Sequence, residues 1–233
     1  MKKILISALL IGIGATSFAQ NKEISFAIKA GVSLPTISSQ GDASIYDGPS
    51  GLEFKTNTSL YIGGTVDFQI SELFSIQPGL TLIGKGGKYP FSYLRPDPAD
   101  GYNTYEGNVK LSSMYLEIPV NAVFNFNIGK GKVFVGAGPY YAVAIGGRVK
   151  IDGVSIRNSV STPESTKRDL EFGDNKDLQR SDFGINFLAG YQLSNGWNIH
   201  AGYGLGLKKI DPYTTPGPTW ANRVTTVGIG FAF

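Results

Sequence analysis

The residues with the greatest capacity for chemistry are one histidine and a few isolated charges set among apolar segments. His200 is the only histidine and there is no cysteine, so neither a cysteine-rich zinc site nor a thiol nucleophile can be assembled. A histidine can act as a general base, but nucleophilic catalysis also needs a partner such as serine, and none is evident beside His200. The sequence therefore predicts no catalytic residue, no metal site and no cofactor.

The other polar side chains of interest occupy every second position of segments whose remaining positions are apolar. We expect them to share one interior surface and to form a network of ion pairs and hydrogen bonds, because a lone buried charge is costly. The members of this predicted interior network are Lys29, Asp67, Lys85, Glu117, Asn121, Asn186, Gln192 and His200. A narrow ion or proton path lined by the same groups is the alternative.

Eight segments with period-two alternation would position these side chains, and long helical periodicity is absent. In the first segment Ile24, Phe26 and Ile28 alternate with Ser25 and Ala27. The eight segments cover 24–34, 59–70, 74–85, 115–126, 132–147, 183–193, 197–207 and 226–233. They predict an all-β fold with an even number of strands.

The connections between these segments alternate between short turns and long polar stretches. Tight turns are predicted at 71–72, 129–131 and 194–196. Long loops, which hold most of the charged residues, are predicted over 35–56, 87–109, 148–180 and 209–222. Short periplasmic turns and long extracellular loops are typical of outer-membrane barrels. The predicted fold is an eight-stranded antiparallel up-and-down transmembrane β-barrel.

The first 19 residues are predicted to be a cleaved signal peptide, which leaves 20–233 as one barrel domain. Lys2 and Lys3 precede an apolar run over 4–13, and Ser17 and Ala19 supply the small residues of a cleavage site. The apolar run is shorter than the roughly 20 residues of a membrane helix. The net charge is +3, and +1 without the two lysines, so no electrostatic argument supports nucleic-acid binding.

The direction in which the apolar residues point separates a membrane barrel from a soluble, lipocalin-like one. A soluble barrel would turn the apolar set inward and expose the other set to water. That other set is mostly Gly, Ala, Ser and Asn, which would make a poor wet surface but would fill the narrow interior of an eight-stranded barrel. The apolar set is therefore predicted to face lipid as a band about 25 Å tall.

Five short motifs fall in order along the mature chain. They are Ile28-Lys29-Ala30-Gly31-Val32-Ser33, Ile76-Gln77-Pro78-Gly79-Leu80 with Lys85-Gly86 shortly after, Tyr115-Leu116-Glu117-Ile118-Pro119-Val120, Val135-Gly136-Ala137-Gly138-Pro139-Tyr140, and Phe183-Gly184 through Ala189-Gly190-Tyr191. Together they resemble the PorT-type outer-membrane β-barrel domain of Bacteroidota-like bacteria. The resemblance implies the barrel fold and, through the family's namesake, a link to a secretion system, but no catalytic or binding residues. The terminal Phe233 looks like the assembly signal that the barrel-insertion machinery recognises.

The segment 148–180 is the leading candidate for an interaction surface, because long loops on a rigid scaffold often carry function. A second candidate is 87–109, whose tyrosines suit contact with a protein or a glycan. The candidate residues are Arg157, Lys167, Arg168, Lys176 and Arg180, with Tyr93, Tyr102 and Tyr105. The predicted function is non-enzymatic: a scaffold among the lipid and lipopolysaccharide of the outer membrane whose loops bind an envelope protein partner. A place in a secretion or envelope-assembly system is a further hypothesis, and a small pore or transport element is the alternative.

Overall fold

A computed structural model describes residues 24–40, 53–97, 101–157, 160–211 and 219–233, and leaves the side chains at 40, 95, 97, 101 and 102 undescribed. The predicted signal peptide lies outside these residues. The strands are β1 Ile24–Gln40, β2 Ser59–Gln69, β3 Phe74–Asp97, β4 Gly101–Ile128, β5 Gly131–Arg157, β6 Val160–Asp169, β7 Ser181–Leu193, β8 Trp197–Gly206 and β9 Thr219–Ala232. Within the described ranges, no helix is both long and apolar enough to cross a membrane.

Eight of these strands close into a ring. Each strand from β1 to β5 pairs antiparallel with the next, β5 pairs with β7, and β7, β8 and β9 follow in order. The ring closes because β1 also pairs with β9, from Ala27↔Ala232 to Gln40↔Thr219. The prediction of an eight-stranded antiparallel barrel is therefore confirmed.

The two ends of the barrel differ. At one end, the turn end, short connections join β2 to β3, β4 to β5 and β7 to β8. Gly129 (φ 62°) and Gly196 (φ 90°) supply the left-handed backbone that two of these turns need. The opposite end, the hairpin end, carries the long connections, which in outer-membrane barrels face the cell exterior.

Much of the predicted loop structure at the hairpin end is wrong, because the strands continue there. β3 and β4 stay paired through 87–109, out to Asp97↔Gly101, and within 148–180 β5 reaches Arg157 before β6 folds back on it. β1 and β9 likewise extend beyond the predicted strands. Outside the bilayer neither face of a sheet meets lipid, so apolar alternation fades while the backbone ladder continues unchanged.

The continued strands form what we call the projecting sheet, made of residues 86–97, 101–113, 147–157 and 160–169. Its strand order is β3-β4-β5-β6, and among the described strands β6 pairs only with β5, so it is an edge strand. The sheet leaves the barrel at an irregularity between Met114 and Tyr115, where β5 inserts one extra residue, Ile145. Such a bulge bends and twists a sheet locally.

The apolar set of side chains points away from the barrel axis, as predicted. Residues of this set on all parts of the ring are exposed, among them Ile28, Leu60, Ile62, Leu80, Ile118, Phe124, Phe187, Ile199 and Ile229. A soluble protein would not expose so continuous an apolar surface. The outer face between the turn end and Met114 is therefore the lipid-facing band.

Candidate functional site

Three charged side chains meet inside the barrel below the hairpin end. The Lys85 ammonium on β3 lies 2.7 Å from an Oε2 of Glu117 on β4 and 3.0 Å from Oδ2 of Asp182 on β7. All three side chains are almost fully excluded from solvent. Because β4 and β5 separate β3 from β7 in the ring, the ion pair between Lys85 and Asp182 joins non-adjacent strands across the interior.

Neutral groups add hydrogen bonds to Lys85, Glu117 and Asp182, which we call the charged layer. Asn186 donates to Glu117 at 2.9 Å, whereas Asn222 and Tyr140 donate to Asp182 at 2.9 and 3.3 Å. The Lys85 ammonium also lies 4.1 Å from the centre of the Tyr140 ring, within the range of a cation–π contact. These contacts offset part of the cost of burying the ions, although Asp182 Oδ1 has no hydrogen-bond partner within the described residues.

His200 lies closer to the turn end and is fixed by two hydrogen-bonding partners. The Tyr61 hydroxyl is 2.6 Å from its Nε2, and Asn198 Oδ1 is 2.8 Å from its Nδ1. The second contact requires a proton on Nδ1, which leaves Nε2 to accept from Tyr61. Both ring nitrogens are thus engaged by groups with no nucleophilic role, and this arrangement fits a structural histidine.

Two small cavities surround these groups, and Lys29 and His200 line both. The cavity nearer the charged layer holds about 70 Å³ and is also lined by Asn121. The cavity nearer the turn end holds about 80 Å³ and is also lined by Asp67 and Gln192. Each has room for a few water molecules.

An apolar cluster fills the barrel above the charged layer, and we call it the external cluster. Its buried members are Ile37, Phe54, Val109, Leu111, Val149, Leu170, Leu178 and Ile210, against which Tyr89, Phe91, Phe172 and Trp220 pack. They come from β1, β3, β4, β5, β9 and the segments at 53–58, 170–180 and 207–211. Side chains therefore converge on the hairpin-end mouth from around the ring.

All eight residues of the predicted interior network point inward, but they do not form one connected set. Lys85 and Asn186 both contact Glu117 in the charged layer, whereas Asp67 and Gln192 line the cavity near the turn end. The sequence analysis missed Asp182, Tyr61, Tyr140 and Asn222. Alternation would have placed the first three, since each lies an even number of residues from an inward-facing neighbour on its own strand.

Two of the three predicted tyrosines lie on the inner face of the projecting sheet. Tyr93 and Tyr105 are directly opposite each other, with ring centroids 5.2 Å apart and planes 10° from parallel. Phe91 continues this row at 5.8 Å from Tyr93. We call these three residues the aromatic strip. Tyr102 is in β4, but its side chain is outside the described part of the structure.

The predicted basic residues are dispersed rather than gathered. Arg168 binds Asp177 with two hydrogen bonds of 2.6 and 2.7 Å, and Lys176 binds Glu171 at 2.8 Å. The bonds from the Arg168 guanidinium hold the pKa of Asp177 below its usual value. Arg180 instead donates hydrogen bonds to the backbone carbonyl oxygens of Ala144 and Phe172. Arg157 ends β5 and Lys167 lies on the outer face of β6, so the five residues form no single patch.

The described residues contain no group of histidine and acidic side chains arranged to hold a metal ion. What they do contain is a closed ring, a lipid-facing band, and an interior filled by side chains. The pattern of the outer membrane protein beta-barrel domain matches residues 18–211. The chain belongs to this family. It is a protein of the bacterial outer membrane, and the match does not extend to the finer PorT-type assignment.

Solved outer-membrane barrels of similar length also resemble the chain. Ail of Yersinia pestis, solved with the heparin analogue sucrose octasulfate, is 15% identical over 91% of this chain and 99% of its own, with a TM-score of 0.38. OprG of Pseudomonas aeruginosa is 12% identical over 90% and 95%, at 0.46, and E. coli outer membrane protein W is 15% identical over 90% and 97%, at 0.37. These likenesses are too distant to carry an argument about function. No curated protein matches the sequence.

Proposed function

We propose that this outer-membrane barrel is a non-enzymatic scaffold that binds a partner through its projecting sheet and does not conduct solutes. The observation that carries the proposal is the filled interior: the external cluster caps a charged layer in which every ion is paired. An eight-stranded barrel has an interior just wide enough for its own side chains to fill. Transport along the axis would require both layers to be displaced.

The aromatic strip supports a binding role for the projecting sheet. The Tyr93 side chain is 52% exposed although it stacks on Tyr105, so a large amphipathic surface is already ordered and open to a partner. Tyrosine gives broad contact at a low cost in conformational entropy and is enriched at interfaces. A protein or glycan of the cell envelope is the partner class that suits this surface, and a role in secretion or envelope assembly is part of the same proposal.

The experiment is a pull-down from mildly solubilised outer membranes that compares two variants of β3 and β4. Tyr93→Ala with Tyr105→Ala removes the stacked tyrosines of the aromatic strip, whereas Leu94→Ala removes a still more exposed apolar residue from the opposite face of β3. We expect a stoichiometric partner that is lost only with the tyrosines. Recovery of the barrel alone, or equal retention of the partner by both variants, would contradict the proposal.

Planar-bilayer recordings of the purified barrel test the pore alternative directly. A scaffold with a filled interior leaves the bilayer current at its baseline. Steady single-channel conductance, abolished or changed by Lys85→Met, would instead establish a path through the charged layer.

A further inference from the structure

Five lysines form a continuous row across the projecting sheet and the adjoining segment at 53–58. Lys55 is directly opposite Lys88, Lys88 is opposite Lys110, Lys110 is opposite Lys150, and Lys150 is opposite Lys167. Neighbouring strands are about 4.8 Å apart, so this lysine row extends for roughly 19 Å.

The lysine row points away from the barrel axis. Next to it along the strands, Phe54, Tyr89, Val109 and Val149 point the other way and pack in or against the external cluster. Successive side chains of a strand point to opposite faces, so the lysines must face outward. The row therefore lies on the same side of the sheet as the lipid-facing band.

The protein itself does little to neutralise this charge. Like charges directly opposite each other destabilise a sheet. In the part of the chain that the structure describes, only Lys150 has a carboxylate within ion-pair distance, that of Asp152 at 2.5 Å. The central pair, Lys88 and Lys110, has no such partner there. An arrangement this unfavourable for folding suggests that anions from outside the protein balance it.

The height of the row relative to the bilayer identifies where those anions come from. The lipid-facing band on β4 ends at Met114, and Lys110 is four residues further toward the hairpin end. That separation is about 13 Å along the strand and about 10 Å along the membrane normal for a strand tilted by roughly 40°. The lysines thus lie at the level of the headgroup layer, and their flexible aliphatic stems allow the ammonium groups to reach headgroup phosphates.

We propose that the lysine row is a binding site for the phosphate groups of glycolipid headgroups in the outer leaflet. Lysine is a common phosphate ligand, and a row of five offers several contacts to one headgroup or to adjacent headgroups. Lipid is the occupant because the row lies on the same side of the sheet as the lipid-facing band and only four residues beyond its end on β4. The aromatic strip, by contrast, lies on the other face. The site is independent of the proposed protein or glycan partner, and either can fail without the other.

The test measures binding of purified lipid A, and of the same lipid A after phosphatase treatment, to the barrel in non-ionic detergent by native mass spectrometry. The row variant is Lys88→Gln with Lys110→Gln. The control, Lys130→Gln with Lys176→Gln, removes the same charge from a turn-end position and from a lysine already paired with Glu171. At about 1 kcal/mol per lysine, the row variant should bind phosphorylated lipid A about 25-fold more weakly than the control.

The wild-type barrel should also prefer phosphorylated over dephosphorylated lipid A, and the row variant should lose that preference. Urea unfolding checks that the row variant is folded, and its stability should equal or exceed that of the wild type because a like-charge contact is removed. Equal affinity of row and control variants, or equal affinity for the two forms of lipid A, would overturn the proposal. Binding of soluble heparin without binding of lipid A would overturn the choice of a lipid.

Discussion

Lys85 is the residue on which the barrel interior depends most. Its ammonium contacts two carboxylates, and the side chains of all three residues are almost completely buried. Removing the lysine would leave Glu117 and Asp182 without their counterion in an environment that solvates charge poorly. The cost of breaking a buried ion pair from one side far exceeds the cost of replacing all its members, because the remaining charge is uncompensated.

We therefore expect Lys85→Met to lower the free energy of unfolding by about 3–5 kcal/mol. Urea unfolding of the barrel in phospholipid vesicles, followed by tryptophan fluorescence, would measure this. Adding Glu117→Gln and Asp182→Asn to Lys85→Met should recover most of the loss, since neither carboxylate is then left buried without its counterion. A single variant as stable as the wild type would show that the charged layer does not hold the ring together.

Alternation predicted the inward direction of Lys85 and Glu117 from the sequence, because the period of a strand fixes which face a side chain occupies. It could not predict that Asp182 is the second acid at Lys85. Residue 182 immediately precedes the segment where apolar alternation begins, and the contact joins residues 97 apart through the closure of the ring. Asn222 could not be predicted either, because 209–222 has the composition of a loop and gives no alternation from which to assign its face.

The projecting sheet is the element that could not be predicted from the sequence, which indicated loops in its place. Within the bilayer, lipid on one side and a narrow interior on the other impose an apolar alternation that can be read directly. Above it, the outer face of the same strands carries Lys88, Lys110 and Lys150 instead, and Pro90 and Pro96 resemble loop residues. What maintains these strands is register: β3 and β4 pair without a break from Thr81↔Glu117 out to Asp97↔Gly101.

Gly86 lies on β3 where the strand passes from the barrel into the projecting sheet. Its φ is +128°, a conformation that residues with side chains rarely adopt, and an added Cβ would collide with the carbonyl oxygen of Leu111. We expect Gly86→Ala to destabilise the protein by about 1–3 kcal/mol in urea unfolding. Gly146→Ala is the matched control on β5, since a Cβ there meets nothing within 4 Å. Equal effects of the two substitutions would contradict a specific requirement at Gly86.

At the scale of the whole molecule, the barrel is asymmetric along its axis. The turn end has short connections and cavities lined by charged groups, whereas the hairpin end has the external cluster, the lysine row and the aromatic strip. A scaffold that binds partners and glycolipid headgroups at the cell surface requires the hairpin end to face outward. The orientation of the barrel in the membrane is therefore the property on which both proposals depend.

The absence of cysteine from the chain makes this orientation easy to measure, since any introduced thiol is the only one present. Ser92→Cys places a thiol on the projecting sheet, and Lys130→Cys places one in the turn between β4 and β5. A membrane-impermeant maleimide added to intact cells should label Ser92→Cys fully and Lys130→Cys only after the outer membrane is permeabilised. The reverse pattern would direct the lysine row and the aromatic strip into the periplasm, where neither an outer-leaflet glycolipid nor a surface partner could reach them.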